Sequence, residues 1–123
     1  VITSNFPKAA NYCAYHAYGT CNGHLIAVAY LPNLTGVRGC TISSISSNSF
    51  SNGGQSMANV AAHELSEAIT DQFLNAWYDA SGQEVGDKCA FQFGPPVTLS
   101  NGSVWQLQEE WSNANKGCVQ SIP

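Results

Sequence analysis

Hydrophobic positions fall along this chain in three rhythms. The run Leu25-Ile26-Ala27-Val28-Ala29-Tyr30-Leu31 is continuous, preceded by the turn pair Asn22-Gly23 and closed by Pro32-Asn33, which predicts a buried β-strand. Val37 to Ile45 predicts a second strand, followed by a polar Ser/Asn/Gly loop over Ser46 to Gln55 that carries Phe50. From Ser56 the period changes. Met57, Val60, Ala61, Leu65, Ala68, Ile69 and Phe73 recur at helical spacing, with neither Gly nor Pro before Gly82. A helix is expected over Ser56 to Leu74, with Ser56 as its N-cap. Ala76-Trp77-Tyr78-Asp79 then leads into a Ser81-Gly82 turn and a short segment, Glu84 to Phe93, ended by Gly94-Pro95-Pro96. Val97 to Leu99 and Val104 to Gln108 flank Asn101-Gly102 and predict a hairpin with a two-residue loop.

The expected helix carries chemistry on one side. Residues at i, i+4 and i+8 share a face, so His63, Glu67 and Asp71 align, with Glu64 on the adjoining stripe. Ala61, Leu65 and Ile69 would then pack against the strands and leave the polar stripe bordering a cleft. Two ligands one turn apart bring both heads to a single ion, while a Glu directly after the first ligand reaches the water instead. A carboxylate can stand in for an imidazole as a zinc ligand.

The run Ala62-His63-Glu64-Leu65-Ser66-Glu67-Ala68-Ile69-Thr70-Asp71 resembles the active helix of the thermolysin-like peptidases, A-H-E-L-T-H-A-V-T-D, matching seven of ten letters. Glu67 stands where that family has its second His. The resemblance implies a zincin-like site in which His63, Glu67 and Glu84 bind Zn2+, Asp87 orients His63, and Glu64 activates a metal-bound water against a peptide or protein substrate. It also implies a small α+β domain, with one long active-site helix packed on a mixed β-sheet against Leu25 to Leu31.

A second resemblance spans more of the chain. Tyr12-Cys13-Ala14-Tyr15-His16, the His63 to Asp71 run, Asn75-Ala76-Trp77-Tyr78-Asp79, Gly82 to Cys89, and Gln108 followed by Trp111-Ser112-Asn113-Ala114 are similar to the phosphate-induced or EXORDIUM-like secreted proteins. Gln72 replaces a Pro usual there, and a Cys usual before the Tyr-Cys block is missing. This resemblance implies secretion, often to the cell wall, and in plant members a growth-related role without established peptidase activity.

Composition fits those expectations. A chain of 123 residues that is 44% hydrophobic suits a single domain over 1–123. Only 10% of residues are charged, which suits an extracellular protein. The net charge is −4, and Lys8, Arg38, Lys88 and Lys116 are scattered, so neither nucleic acid nor an anionic membrane is an expected partner. No apolar run approaches the roughly 20 residues of a membrane span. The start at Val1 reads as a mature chain whose signal or pro-segment has been removed. Five cysteines and the sequons at Asn33 and Asn101 point to an oxidising compartment, two disulfides and one odd thiol. Cys89 with Cys118 would tie the tail to the segment after the helix, and two of Cys13, Cys21 and Cys40 would tie the front.

Several residues carry two readings. His16 is an extra ligand or transition-state donor, or a hydrogen-bonded structural His. His24 beside Asn22-Gly23 reads as a surface turn residue. Trp77, Trp105 and Trp111 form either a glycan-stacking surface or part of the core. Glu67, Asp71, Asp79, Glu84 and Asp87 together suggest Ca2+ as the alternative ion, in a non-catalytic secreted module. A Ser-His-Asp hydrolase lacks its Gly-x-Ser-x-Gly elbow. The leading expectation is a secreted zinc hydrolase of the metallopeptidase kind; the alternatives are a structural-ion or glycan-binding protein.

Overall fold

The computed structural model describes residues 11–42 and 51–121. Its elements in chain order are β1 (Tyr15–Cys21), β2 (His24–Tyr30), α1 (Asn52–Thr70), a single 3-10 turn (Asp87–Cys89), β3 (Val97–Thr98), β4 (Val104–Trp105), β5 (Glu110–Ser112) and β6 (Gly117–Val119). The domain is therefore a small α+β arrangement, with one helix and, among the described residues, three separate antiparallel strand pairs, β1-β2, β3-β4 and β5-β6. These pairs take the place of the expected mixed sheet.

Asn22-Gly23 closes the first hairpin. Both residues have positive φ, 49° and 79°, as a two-residue turn between right-twisted strands requires, and Cys21 pairs with His24 across it. The strand expected at Leu25 to Leu31 is present as β2, but it is not buried. Its residues from His24 to Ala29 are exposed, because no second sheet layer lies over the hairpin among the described residues. Val37 to Ile42 forms a turn instead of a strand, with the N–H of Cys40 and of Thr41 donating to the Val37 carbonyl at 3.1 Å. Ser43 to Ile45, like Ser46 to Phe50, lies outside the described residues.

The helix begins four residues earlier than its periodicity suggested. Ser51 is the N-cap, its hydroxyl accepting from Gly54 N–H at 3.1 Å, so Asn52 to Gln55 is helix instead of loop. Gly53 tolerates no larger residue, since a Cβ there would strike the Thr35 side chain. At the other end the buried Asp71 stops the helix. Its carboxylate accepts from Asn75 N–H at 2.6 Å and Ala76 N–H at 2.7 Å and turns the chain into the loop that follows.

The amphipathic orientation of α1 is the reverse of that expected. Its buried residues are Gly53, Gln55, Ser56, Asn59, Val60, Glu64 and Glu67, of which Val60 is the one large apolar side chain. Leu65 and Ile69, expected to face the strands, are 61% and 74% exposed. Hydrogen bonding accounts for the inversion. Short strand pairs leave buried backbone N–H groups without sheet partners, and these must be satisfied elsewhere. Helix side chains accept from them: Ser56 Oγ from Ile42 N–H at 2.9 Å, Asn59 Oδ1 from Gln108 N–H at 2.7 Å and Gln55 Oε1 from Gln106 N–H at 3.4 Å. Ser56 is thus a buried interior residue, not the cap.

The apolar core is small. Leu34, Cys40 and Val60 form its centre, with Cys13, Ala14, Leu31 and Val37 packed around them. Two disulfides reinforce it, Cys13–Cys40 at the front and Cys89–Cys118 at the back, while Cys21 is an exposed free thiol. The hairpin over Val97 to Trp105 forms as expected, although its loop is longer than two residues: Leu99 N–H still reaches the Ser103 carbonyl and Gly102 takes φ +81°. No helix among the described residues is long and apolar enough to cross a membrane.

If the inner face of α1 is the polar one, Ile69→Gln should alter unfolding free energy by no more than ~0.5 kcal/mol, whereas Val60→Ala should cost about 2 kcal/mol. Urea denaturation of both variants tests this, and a large loss at Ile69 would contradict the inversion.

Candidate metal centre

Three segments converge on the middle of α1: β1 brings His16, the helix brings His63, Glu64 and Glu67, and the segment after the Asp79 turn brings Glu84 and Asp87. Asp79 builds that turn. Its Oδ1 accepts from Ser81 N–H at 2.8 Å and Gln83 N–H at 3.2 Å, and its Oδ2 from Lys88 Nζ at 2.8 Å. The Lys88 hydrogen bond and those two N–H groups hold the Asp79 carboxyl below its ordinary range. The 3-10 turn and the Cys89–Cys118 bond fix the end of the segment, and Trp111 N–H donates to the Val85 carbonyl at 3.0 Å, so β5 holds its middle.

Glu67 is the centre of the cluster. One carboxylate oxygen, Oε1, lies 3.1 Å from His63 Nε2 and accepts from Asp87 N–H at 3.2 Å; the other, Oε2, lies 3.4 Å from His16 Nδ1. Two triads of close donor atoms therefore share this residue: His63, Glu67 and Asp87, half-buried apart from Glu67, and His16, Glu64 and Glu67, all buried. Asp87 Oδ1 is 3.6 Å from His63 Nε2, and Glu64 Oε2 is 3.4 Å from His16 Nδ1. Glu84 turns toward His16, its Oε1 3.6 Å from Nε2, and that buried oxygen has no hydrogen-bond partner among the described residues. The group expected at His63, Glu67 and Glu84 is thus rearranged, with Asp87 closing on His63 and Glu84 on His16. Asp71 and Asp79 are not in these triads: Asp71 Oδ1 accepts from two backbone N–H groups, and Asp79 is occupied by two backbone N–H groups and Lys88.

Proton placement follows from the partners. His16 Nε2 faces the Asp71 carbonyl at 3.4 Å, which can only accept, so Nε2 carries hydrogen and Nδ1 turns toward two carboxylates. His63 Nδ1 lies 3.0 Å from Gln108 Nε2, which also donates to the Gly86 carbonyl at 2.9 Å. That carbonyl fixes the amide with its N–H groups inward, so the neutral ring accepts at Nδ1 and presents Nε2–H to Glu67, whereas the charged ring would need the Gln108 carbonyl at Nδ1. Gly86 permits the contact, since a Cβ there would lie 2.7 Å from His63 Nδ1.

Charge is unbalanced. Burial and the neighbouring Glu67 push Glu64 up to about 7 against the pull of His63 and His16, and burial with Glu67 pushes Glu84 to about 7. Burial likewise lifts Glu110 to about 7. Burial opposes a charged His63, but the Glu67 hydrogen bond and the charges of Glu67 and Glu64 prevail and raise it to about 9. Crowded carboxylates that retain protons near neutrality, together with an orphaned Glu84 oxygen, are a donor set suited to a cation.

The cluster is open. A cleft of about 210 Å³ is lined by His16, His63, Glu64, Glu67, Glu84 and Asp87, and a second of about 240 Å³ brings Tyr12, Phe91 and Gln108 against His63 and Glu64. Sequence reading placed His63, Glu64, Glu67, Glu84, Asp87 and His16 here and missed Gln108 and the role of Gly86. Both lie inside blocks that carried the family resemblance, but nothing in their spacing ties them to His63. The sequon residues Asn33 and Asn101 are exposed, each side-chain oxygen accepting from an N–H two residues on.

No family model matches this chain, and no curated protein or solved structure is significantly similar to it.

The four groups shifted upward all act in one direction. Glu64, Glu84 and Glu110 hold protons when folded that the unfolded chain releases above about 4.5, and His63 holds one that the unfolded chain releases above about 6.5. Chelated protein should therefore lose stability as pH rises from about 4.5 toward 9. Thermal melts across that range in a chelating buffer test this; a rising melting temperature would contradict it.

Proposed function

We propose that this chain is a secreted zinc-dependent hydrolase of the metallopeptidase kind, its cation held on the Glu67 turn of α1 and facing the cleft. The observation that carries the reading is Glu67 itself, a buried carboxylate set between two imidazoles and beneath an opening lined by three further carboxylates. His63 Nε2, Glu67 Oε1 and Asp87 Oδ1, the less buried of the two triads, would hold the ion. A mixed nitrogen and oxygen donor set suits zinc, whereas calcium asks for six to eight oxygens, and both triads include an imidazole. Bound zinc supplies Lewis acidity toward a carbonyl and eases deprotonation of water.

The chain's own residues perform the remaining tasks. Glu64, which lines the cleft beside His63, takes the proton of the attacking water and returns it to the leaving group. His16 keeps Glu64 in place through its Nδ1 contact. Gln108 and Gly86 hold the His63 ring against Glu67. Two disulfides and two exposed sequon asparagines support secretion as the setting.

Elemental analysis of protein purified without chelator should find about one zinc per chain. Glu64→Gln should retain that zinc while hydrolysis of a fluorogenic peptide library falls by about 10²–10⁴-fold. Undiminished turnover would reject Glu64 as the base, and loss of zinc from the variant would place Glu64 among the ligands instead.

A further inference from the structure

On the far side of Glu84 the chain forms a third cleft, of about 280 Å³, whose walls include Trp77, Tyr78, Gln83, Trp111 and Asn113. Glu84 lines both this cleft and the one over the histidine cluster. Its aromatic residues are presented outward: Trp77 is 52% and Tyr78 56% exposed. Trp77 adopts φ +41°, a left-handed conformation that a bulky residue takes only at a cost. Burying that indole would be the usual return for such strain, yet the chain leaves it in solvent.

Trp111 is held rigid. Its indole N–H donates to Asn113 Oδ1 at 2.8 Å, and Lys88 Nζ sits 4.5 Å from the ring centroid. Lys88 is in turn neutralised by Asp79 at 2.8 Å, so the charges within the walls cancel in this pair. The side-chain amide of Gln83, the Asn113 amino group and the Tyr78 hydroxyl make no hydrogen bond to any described residue, leaving neutral donors and acceptors along the rim.

We propose that this cleft binds a neutral saccharide. Pyranose rings present C–H edges that pack on the electron-rich faces of indole and phenol rings, and hydroxyls that suit neutral amides at the rim. An extended peptide would want a free strand edge, and β5 has none: β6 pairs along one side and Trp111 N–H is bonded to Val85 on the other. The binding does not depend on the cation; its placement next to a hydrolytic centre rests on the function proposed above.

The test titrates cellohexaose and chitohexaose into chelated and zinc-loaded protein, following indole N–H resonances by NMR. Binding of at least one of them should shift Trp77 and Trp111 in both forms and leave Trp105, which lies outside the cleft, unmoved. Trp77→Ala should weaken binding about tenfold or more, as should Tyr78→Ala, with folding checked by circular dichroism. No shift at millimolar sugar, or affinity unchanged in both variants, would overturn the proposal. So would a short aromatic peptide that shifts the same two resonances where the sugars do not. Because the chelated protein is tested too, loss of sugar binding is separable from failure of the zinc reading.

Discussion

The structure depends on one requirement: the inner face of α1 is polar and has to be satisfied. Gln55, Ser56 and Asn59 meet it by accepting from backbone N–H groups of the Ile42 and Gln106–Gln108 segments. Half a helix further on, Glu64 and Glu67 are buried without such donors in sufficient number, and two imidazoles have to supply what is missing. A net hydrogen bond contributes only about 1 kcal/mol, but an unpaired buried carboxylate costs several times that, so helix position is set by pairing these groups as much as by the small core around Leu34 and Val60. The two disulfides lie where they help most, one within that core and one at the root of the segment carrying Glu84 and Asp87.

The same arrangement links stability to chemistry. A proton on His63 Nε2 fills the position between Glu67 and Asp87 that a cation would otherwise take, and protons on Glu64 and Glu84 relieve the crowding in the cation's stead. If the proposed cation binds, protons and cation would compete for one set of atoms. An ion on His63 Nε2 would leave the ring hydrogen on Nδ1, and Gln108 would then have to present its carbonyl there in place of the amide that meets Gly86. Gln108 therefore stands between the fold and the function: it anchors the 106–108 segment to Asn59 and sets which ring nitrogen of His63 is free.

Much of the site was legible in the sequence because it rests on helical spacing and on a local motif. His63, Glu64 and Glu67 share a helix, so their proximity is decided by the 3.6-residue period alone. The Glu84 to Asp87 block and His16 were legible through resemblance, and the Cys89–Cys118 bond through its expected position behind the motif. What was not legible follows from tertiary hydrogen bonding. Periodicity assigned Leu65 and Ile69 to the interior, since apolar residues usually decide a helix's orientation; here backbone donors from segments between the strands decided it. The continuous run Leu25 to Leu31 read as a buried strand, but a lone hairpin has no second layer to bury it. Asn22-Gly23 already announced that hairpin, and the residues before it, Tyr15 to Cys21, carried the strand propensity to complete it. Ser56 read as a cap because Gly53 and Gly54 looked like a loop, although Gly53 packs on Thr35 and Gly54 N–H is capped by Ser51.

The competition between protons and cation at Glu67 is the central claim, and calorimetric titration of zinc into the chelated protein tests it most directly. Repeating the titration at neutral pH in buffers of different ionisation enthalpy counts the protons expelled. The account predicts release of about one proton or more per zinc bound, with affinity rising as pH rises. Zinc binding with no proton release and no pH dependence would contradict it.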